Sequence, residues 1–155
     1  MSEGEKNRLV AWNRELSAAH ERLRRALRLA RDATTLKDVA SARADLMLYC
    51  KGFCTALSGH HVSEDVALFP ELSARYPALR TTIAKLEQDH ELIAALLTQF
   101  DQAIAASATP NELSLHLEGL SAIMESHFQY EERELSDTLS RLDLDEDPRA
   151  LLGPL

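Results

Sequence analysis

The chain has 155 residues, room for one domain with a real core and too little for two typical ones. Glycine and proline stand at five each against abundant Leu, Ala, Glu and Arg, which favours helices over sheets. A formal net charge of -8 argues against non-specific nucleic-acid binding, which needs a basic face. No apolar run approaches the roughly 20 residues that cross a bilayer. The opening residues, MSEGEKNRLVAWNREL, are charged where a signal peptide would be apolar. A cytoplasmic chain with no membrane contact is therefore expected. Cys50 and Cys54 are four apart rather than in a C-x-x-C pair, so no disulfide framework is implied.

Four long helical segments are predicted in chain order. Segment A runs from about Glu5 to Ala30. Thr35 with Asp38 then has the form of an N-terminal capping box. Segment B follows to about Leu68, where Pro70 and Pro77 bracket a connection. Segment C runs from about Ala78 to Ala106. Thr109-Pro110 reads as N-cap and first helical residue, and segment D runs from there to about Leu142. Residues 1–142 are expected to form one bundle. Residues 143–155, acidic and then apolar, form a C-terminal tail that packs on the bundle or wanders.

Each segment carries an apolar stripe with alternating steps of three and four. In A it is Leu9, Trp12, Leu16, His20, Leu23 and Leu27; in B, Leu46, Cys50, Phe53, Leu57, His60, Glu64 and Leu68. In C it is Leu79, Ile83, Leu86, His90, Ile93, Leu97, Phe100 and Ile104; in D, Leu113, Leu117, Leu120, Met124, His127, Glu131 and Leu135. This is the seam spacing of bundle helices, and short connections favour an all-α, up-down antiparallel four-helix bundle.

The stripes are polar only in their middles. A and C each present one histidine there; B and D each present a histidine and a glutamate four residues later, His60 with Glu64 and His127 with Glu131. Residues i and i+4 share a helix face, so both side chains of each pair can aim at one point. The halves also repeat. His20 precedes His60 by 40 residues and His90 precedes His127 by 37, and HHVSEDVAL aligns with HFQYEEREL as His, Glu, acid, Leu. A pseudo-twofold bundle would bring two His/His/Glu sets together, which suits two metal ions bridged by carboxylates.

The levels of these residues agree for most of the chain. The midpoint of His90 and the His127/Glu131 pair falls near 109–110, at Thr109-Pro110; that of His60/Glu64 and His90 falls at 76, beside Pro77. For A and B the midpoint is 41, past the expected turn. Either that connection is longer, or segment B overhangs the site.

A single histidine in an apolar stripe is ordinarily a satisfied core residue. Six polar groups at one level of one core are not. An unpaired buried carboxylate costs several kcal/mol, against a total stability of about 5–15 kcal/mol. Metal coordination compensates most directly, because neutral imidazole and carboxylate are natural ligands. Structural zinc usually takes cysteine-rich sets and magnesium or calcium oxygen-only cages. Iron, manganese and zinc stay open on ligand chemistry alone.

At His20, HHVSEDVALFPEL, QDHELI and HFQYEEREL the sequence resembles the hemerythrin family, in its bacterial HHE cation-binding branch, from about Leu16 to Leu139. The resemblance implies an oxo- or hydroxo-bridged centre of two non-haem iron ions. His20, His60, His90, His127, Glu64 and Glu131 match the ligand pattern, the glutamates as bridges. It also implies dioxygen binding, or chemistry with nitric oxide or peroxide, or iron sensing. The chain departs from the oxygen carriers at Leu86, where those have a second histidine one turn before that of the third helix. The fifth nitrogen is then expected from His61, since some HHE-type proteins use that position; otherwise it is missing, and His61 hydrogen-bonds locally at the seam. A ligand lost at Leu86 would open a coordination position and leave room for redox chemistry.

Lesser features complete the reading. Asp65 and Glu132 could orient ligand imidazoles, though at least one is expected to be merely solvated. Tyr130 and Tyr49 are expected to pack, Cys50 and Cys54 to be small buried residues, and His116 to lie on the surface. Three functions follow: a di-iron protein that binds oxygen or nitric oxide, an enzyme that activates oxygen or removes peroxide or nitric oxide, and a metal-free bundle with a polar core. No G-x-G-x-x-G or Walker pattern occurs, so electrons for any redox reaction would come from an external donor.

Overall fold

The structure is a computed structural model that describes residues 11–34 and 39–153, with side chains from Trp12 to Thr34 and from Leu48 to Gly153. Leu9, Leu46 and the Thr35/Asp38 capping box lie outside the described side chains. Among the described residues six helices follow one another: α1 (Ala11–Ala33), α2 (Val39–Ser63), α3 (Phe69–Arg75), α4 (Arg80–Ala105), α5 (Pro110–Arg141) and α6 (Pro148–Leu152). A π-helical turn, Glu64–Leu68, joins α2 to α3, and a 3₁₀ turn, Pro77–Leu79, leads into α4. There is no strand among the described residues. Helices α1, α2, α4 and α5 form the four-helix bundle, with α1 packed on α2 and α5, and α4 on α5 and α2.

The stripes are buried as their spacing requires. All the described stripe residues are inside except Leu79, which is half-buried. Helix α5 starts at Thr109-Pro110 with a complete capping box: Thr109 Oγ1 accepts from the Glu112 N–H (3.2 Å), and the Thr109 N–H donates to Glu112 Oε2 (3.1 Å). Such a cap contributes about 1 kcal/mol.

One boundary differs from expectation. The chain stays helical through Pro70 and breaks only at Tyr76, which adopts φ −130° and ψ 78° ahead of Pro77. In the π turn the hydrogen-bond ladder changes register, the Phe69 N–H reaching back five residues to the Glu64 carbonyl. Pro70 then falls in the first turn of a new α-helix, where its missing N–H costs nothing. The level mismatch between the first two segments has a related answer. Helix α2 runs further before His60 than α1 runs after His20, so α2 overhangs the site.

Two apolar clusters fill the bundle. One gathers Leu23, Leu27, Phe53, Leu57, Ile93, Phe100, Leu120 and Phe128. The other gathers Trp12, Leu16, Leu68, Phe69, Ile83, Leu86, Leu135 and Leu139. Each fully buried Leu or Phe contributes about 1.5–3 kcal/mol. On α1 and α4 the buried histidine falls between the residues of one cluster and those of the other. On α5 His127 and Glu131 flank Phe128, the last residue of the first cluster, ahead of Leu135 of the second. On α2 the histidines follow the first cluster, with Leu68 of the π turn and Phe69 of α3 supplying the second. The centre is thus a polar layer sealed on both sides by hydrocarbon. The described part of the tail, to Gly153, does not wander: Leu151 and Leu152 join the second cluster, and α6 lies against α1, α2 and the π turn.

Candidate metal centre

His20 of α1, His60 and His61 of α2, Glu64 of the π turn, His90 of α4, and His127 and Glu131 of α5 are all buried, none more than 5 % exposed. They form two groups whose donor atoms lie within 4.8 Å of one another: His20, His60, Glu64 and Glu131, and His61, Glu64, His90 and His127. The helix itself explains how α2 serves both. Adjacent residues point about 100° apart, so His60 turns toward His20 (ring centroids 5.1 Å) while His61 stacks on His90 (3.8 Å). Glu64 lies four residues past His60 and three past His61, on the face between them, and therefore belongs to both groups.

The outer nitrogens decide what the inner ones present. His20 Nδ1 bonds Glu132 Oε1 (2.9 Å), His90 Nδ1 bonds Asp65 Oδ1 (2.8 Å), His127 Nδ1 bonds Asp89 Oδ2 (3.1 Å) and His60 Nδ1 bonds the Leu152 carbonyl (2.6 Å). Carboxylates and carbonyls accept, so each Nδ1–H donates and each neutral ring keeps its Nε2 lone pair facing inward. The outcome is clearest where His90 Nε2 and His127 Nε2 approach to 3.0 Å. With both Nδ1 atoms donating outward, no proton lies between those two lone pairs.

Burial disfavours charge on four groups of this layer. Burial, and then the charge on His20, push His60 down to about 4. Burial and His127 push His90 down to about 3, and burial holds His61 well below its ordinary value. Burial, and then the neighbouring Glu131 carboxylate, push Glu64 well up. His20 goes the other way: burial disfavours its charged form, but Glu131 and Glu132 outweigh it and raise its pKa. Eight buried side-chain polar atoms lack a hydrogen-bond partner among the described residues, and seven belong here: Nε2 of His20, His60 and His61, and both oxygens of Glu64 and of Glu131. Native proteins leave few such atoms, each costing about 1–3 kcal/mol. Imidazole lone pairs and carboxylate oxygens converging on two points are a donor set that fits metal ions.

A family model, the hemerythrin HHE cation binding domain, matches residues 13–139. The chain belongs to the hemerythrin family. No match was found among curated proteins or solved structures. Cation binding is the property this hemerythrin-family fold carries, and the buried His/Glu layer is where a cation fits.

The structure brings together all seven residues singled out for this hemerythrin-type site, His61 included. His61 Nε2 has no local partner, and Leu86 lies in the second apolar cluster. The expectation that Asp65 or Glu132 is merely solvated is corrected: both bond an imidazole, because each lies next to its glutamate on the helix edge facing the neighbouring helix. Burial, and then Glu87, push Asp65 up to about 6, which leaves it an acceptor at neutral pH. Glu132 is itself held by Arg24 (3.6 Å), which also pairs with Glu125 (2.9 Å). Tyr130 stays outside the site, half-buried between Lys85 (5.1 Å) and Arg133 (5.4 Å), and Tyr49 is exposed rather than packed. His116 is half-buried near Phe100. Cys50 is buried and Cys54 half-buried, both as free thiols. Sequence reasoning missed two partners. Asp89 was legible as the acid directly before His90; the Leu152 carbonyl carries no side-chain signal at all.

Proposed function

We propose that this chain holds two non-haem iron ions and binds dioxygen, or a related small molecule such as nitric oxide or peroxide, for sensing, protection or redox chemistry. The observation that carries the reading is the convergence of seven unpartnered donor atoms into two groups that share Glu64. His20, His60, Glu64 and Glu131 would hold one ion, and His61, His90, His127 and Glu64 the other. Glu131 Oε2 lies 3.5 Å from His127 Nε2 and 3.4 Å from His20 Nε2, which supports a second bridge. Bound iron supplies a reducible centre able to take up a small diatomic ligand. The chain's own residues set where that happens. Outer carboxylates hold three imidazoles in the ligating tautomer, and two apolar clusters keep bulk water off. The two-histidine group has fewer nitrogen donors, which leaves more room there for an exogenous ligand. With His61 in place the centre has five histidines, the number in the oxygen carriers, and this favours binding.

The test is to load iron anaerobically, measure metal per chain, and record the visible spectrum before and after air. About two irons per chain, with near-ultraviolet bands that reverse on deoxygenation, is the expected result. No bound iron, or one zinc per chain, refutes it. A second reading, an enzyme fed by an external electron donor, draws on one observation: a groove of about 380 Å³ reaches His127 and is lined by Lys85, Asp89, Tyr130 and Arg133. Irreversible bands and multiple turnovers with a reductant would select it.

A further inference from the structure

The internal repeat places outer partners symmetrically, with one exception. The acid after each glutamate bonds the lone histidine of another helix: Asp65 reaches His90, and Glu132 reaches His20. The residue before His90 is Asp89, which bonds His127. The equivalent residue before His20 is Ala19, which has nothing to offer His60. His60 is nonetheless bonded, by a group outside the repeat. Its Nδ1–H donates to the Leu152 carbonyl at 2.6 Å, both residues being buried.

The segment that carries this carbonyl is anchored at several points. The Trp12 Nε1–H donates to the Leu144 carbonyl (2.9 Å), and Arg75 Nη1 donates to the Asp143 carbonyl (2.6 Å). Asp147 caps α6 by accepting from the Arg149 N–H (3.0 Å). The helix ends at Gly153, which adopts φ 96° and donates its N–H to the Arg149 carbonyl (3.1 Å). A Cβ on Gly153 would stand 3.0 Å from His60 Cα, 3.1 Å from His60 N and 3.3 Å from the Gly59 carbonyl carbon. All three are backbone atoms of a packed helix and cannot yield cheaply. Glycine is therefore required twice, for its backbone angle and for the close approach.

We infer that the C-terminal tail is a positioning element of the metal centre: the Leu152 carbonyl, seated by Gly153, fixes the tautomer and orientation of His60 in place of the carboxylate that the N-terminal half of the repeat lacks. A carbonyl can only accept, so this contact admits a single tautomer, with Nε2 bare and 3.2 Å from Glu64 Oε1. The tail's hydrogen bond to the centre thus falls on the two-histidine group, whereas Asp65 and Asp89 orient His90 and His127 of the other. The inference rests on the two-ion reading above.

The test titrates the metal-free full-length chain with cobalt(II), read by visible absorption, in the wild type, in Gly153→Ala and in Gly119→Ala, a control whose Cβ would meet nothing within 4 Å. Two cobalt ions per wild-type chain are expected. Gly153→Ala should weaken one binding step about 10- to 100-fold, the usual effect of losing an outer-shell partner. It should also alter the absorption of that ion while sparing the other; Gly119→Ala should change neither. A wild-type chain that binds no cobalt overturns both readings. Two ions in the wild type with Gly153→Ala unchanged, or with both steps weakened equally, overturns this inference alone. Long-range ¹H–¹⁵N correlation spectra of the wild-type metal-free chain cover the case of a variant that fails to fold. His60 protonated at Nδ1 is the expected state, and protonation at Nε2 overturns the assignment.

Discussion

Glu64→Met separates a metal ligand from a structural carboxylate through the sign of its effect. Methionine matches the length of glutamate but brings no charge and no strong acceptor. In the metal-free chain Glu64 is fully buried, and neither of its oxygens has a hydrogen-bond partner. Each such atom costs about 1–3 kcal/mol, so the substitution should stabilise the metal-free protein by about 2–6 kcal/mol before packing adjustments. In a domain of this size, roughly 1 kcal/mol moves Tm by about 2–4 °C, and a rise of several degrees is expected. The metal-loaded protein should respond oppositely. Glu64 belongs to both donor groups, so its loss weakens both ions. Bound metal stabilises the wild type by about 2.7 kcal/mol when present at a hundred times its Kd; the variant should lose most of that increment. The assay is a pair of circular-dichroism melts, in chelator and with excess metal, for wild type and variant. A metal-free variant that melts below the metal-free wild type would refute the reasoning. It would mean that the carboxylate is satisfied as a structural group, and the metal-free polar-core reading would stand.

Other expectations follow from the same geometry. Asp89→Asn and Asp65→Asn should each lower metal affinity about 10- to 100-fold, measured by competition with a chromophoric chelator, because His127 and His90 lose their charged outer partners; unchanged affinity would show that the tautomers are set otherwise. Burial pushes the Cys50 thiol up to about 11, and burial followed by the Asp101 charge pushes Cys54 up to about 12, from an ordinary 9.0. At pH 8 the native protein should therefore react with a thiolate-directed reagent at least about 100-fold more slowly than the urea-unfolded chain. The sign for stability follows as well. With the folded pKa raised, the folded state keeps protons that the unfolded state releases. The thiol contribution is thus intact below about pH 9 and lost as the pH rises toward 11–12. Melting temperatures that are flat between pH 9 and 11 would contradict it.

The sequence by itself determined the bundle and the core of the site, because both depend on helical period. Leu16, His20 and Leu23, or Leu57, His60 and Glu64, share a face whatever they pack against. Two His-x-x-x-Glu pairs at matching levels leave little else for four helices to do but meet there. Partners that come from other elements were decided only by the tertiary structure. Whether His61 faced the seam or the centre depended on how far α2 rotates against α4, and its stack on His90 settles which way it turns. The π turn after Ser63 depends on a shift of hydrogen-bond register that no residue pattern here announces. The tail was legible as acidic and then apolar, but its use was not. A backbone carbonyl is the same at every residue, and only packing of α6 against α2 selects the one at Leu152 to hold His60.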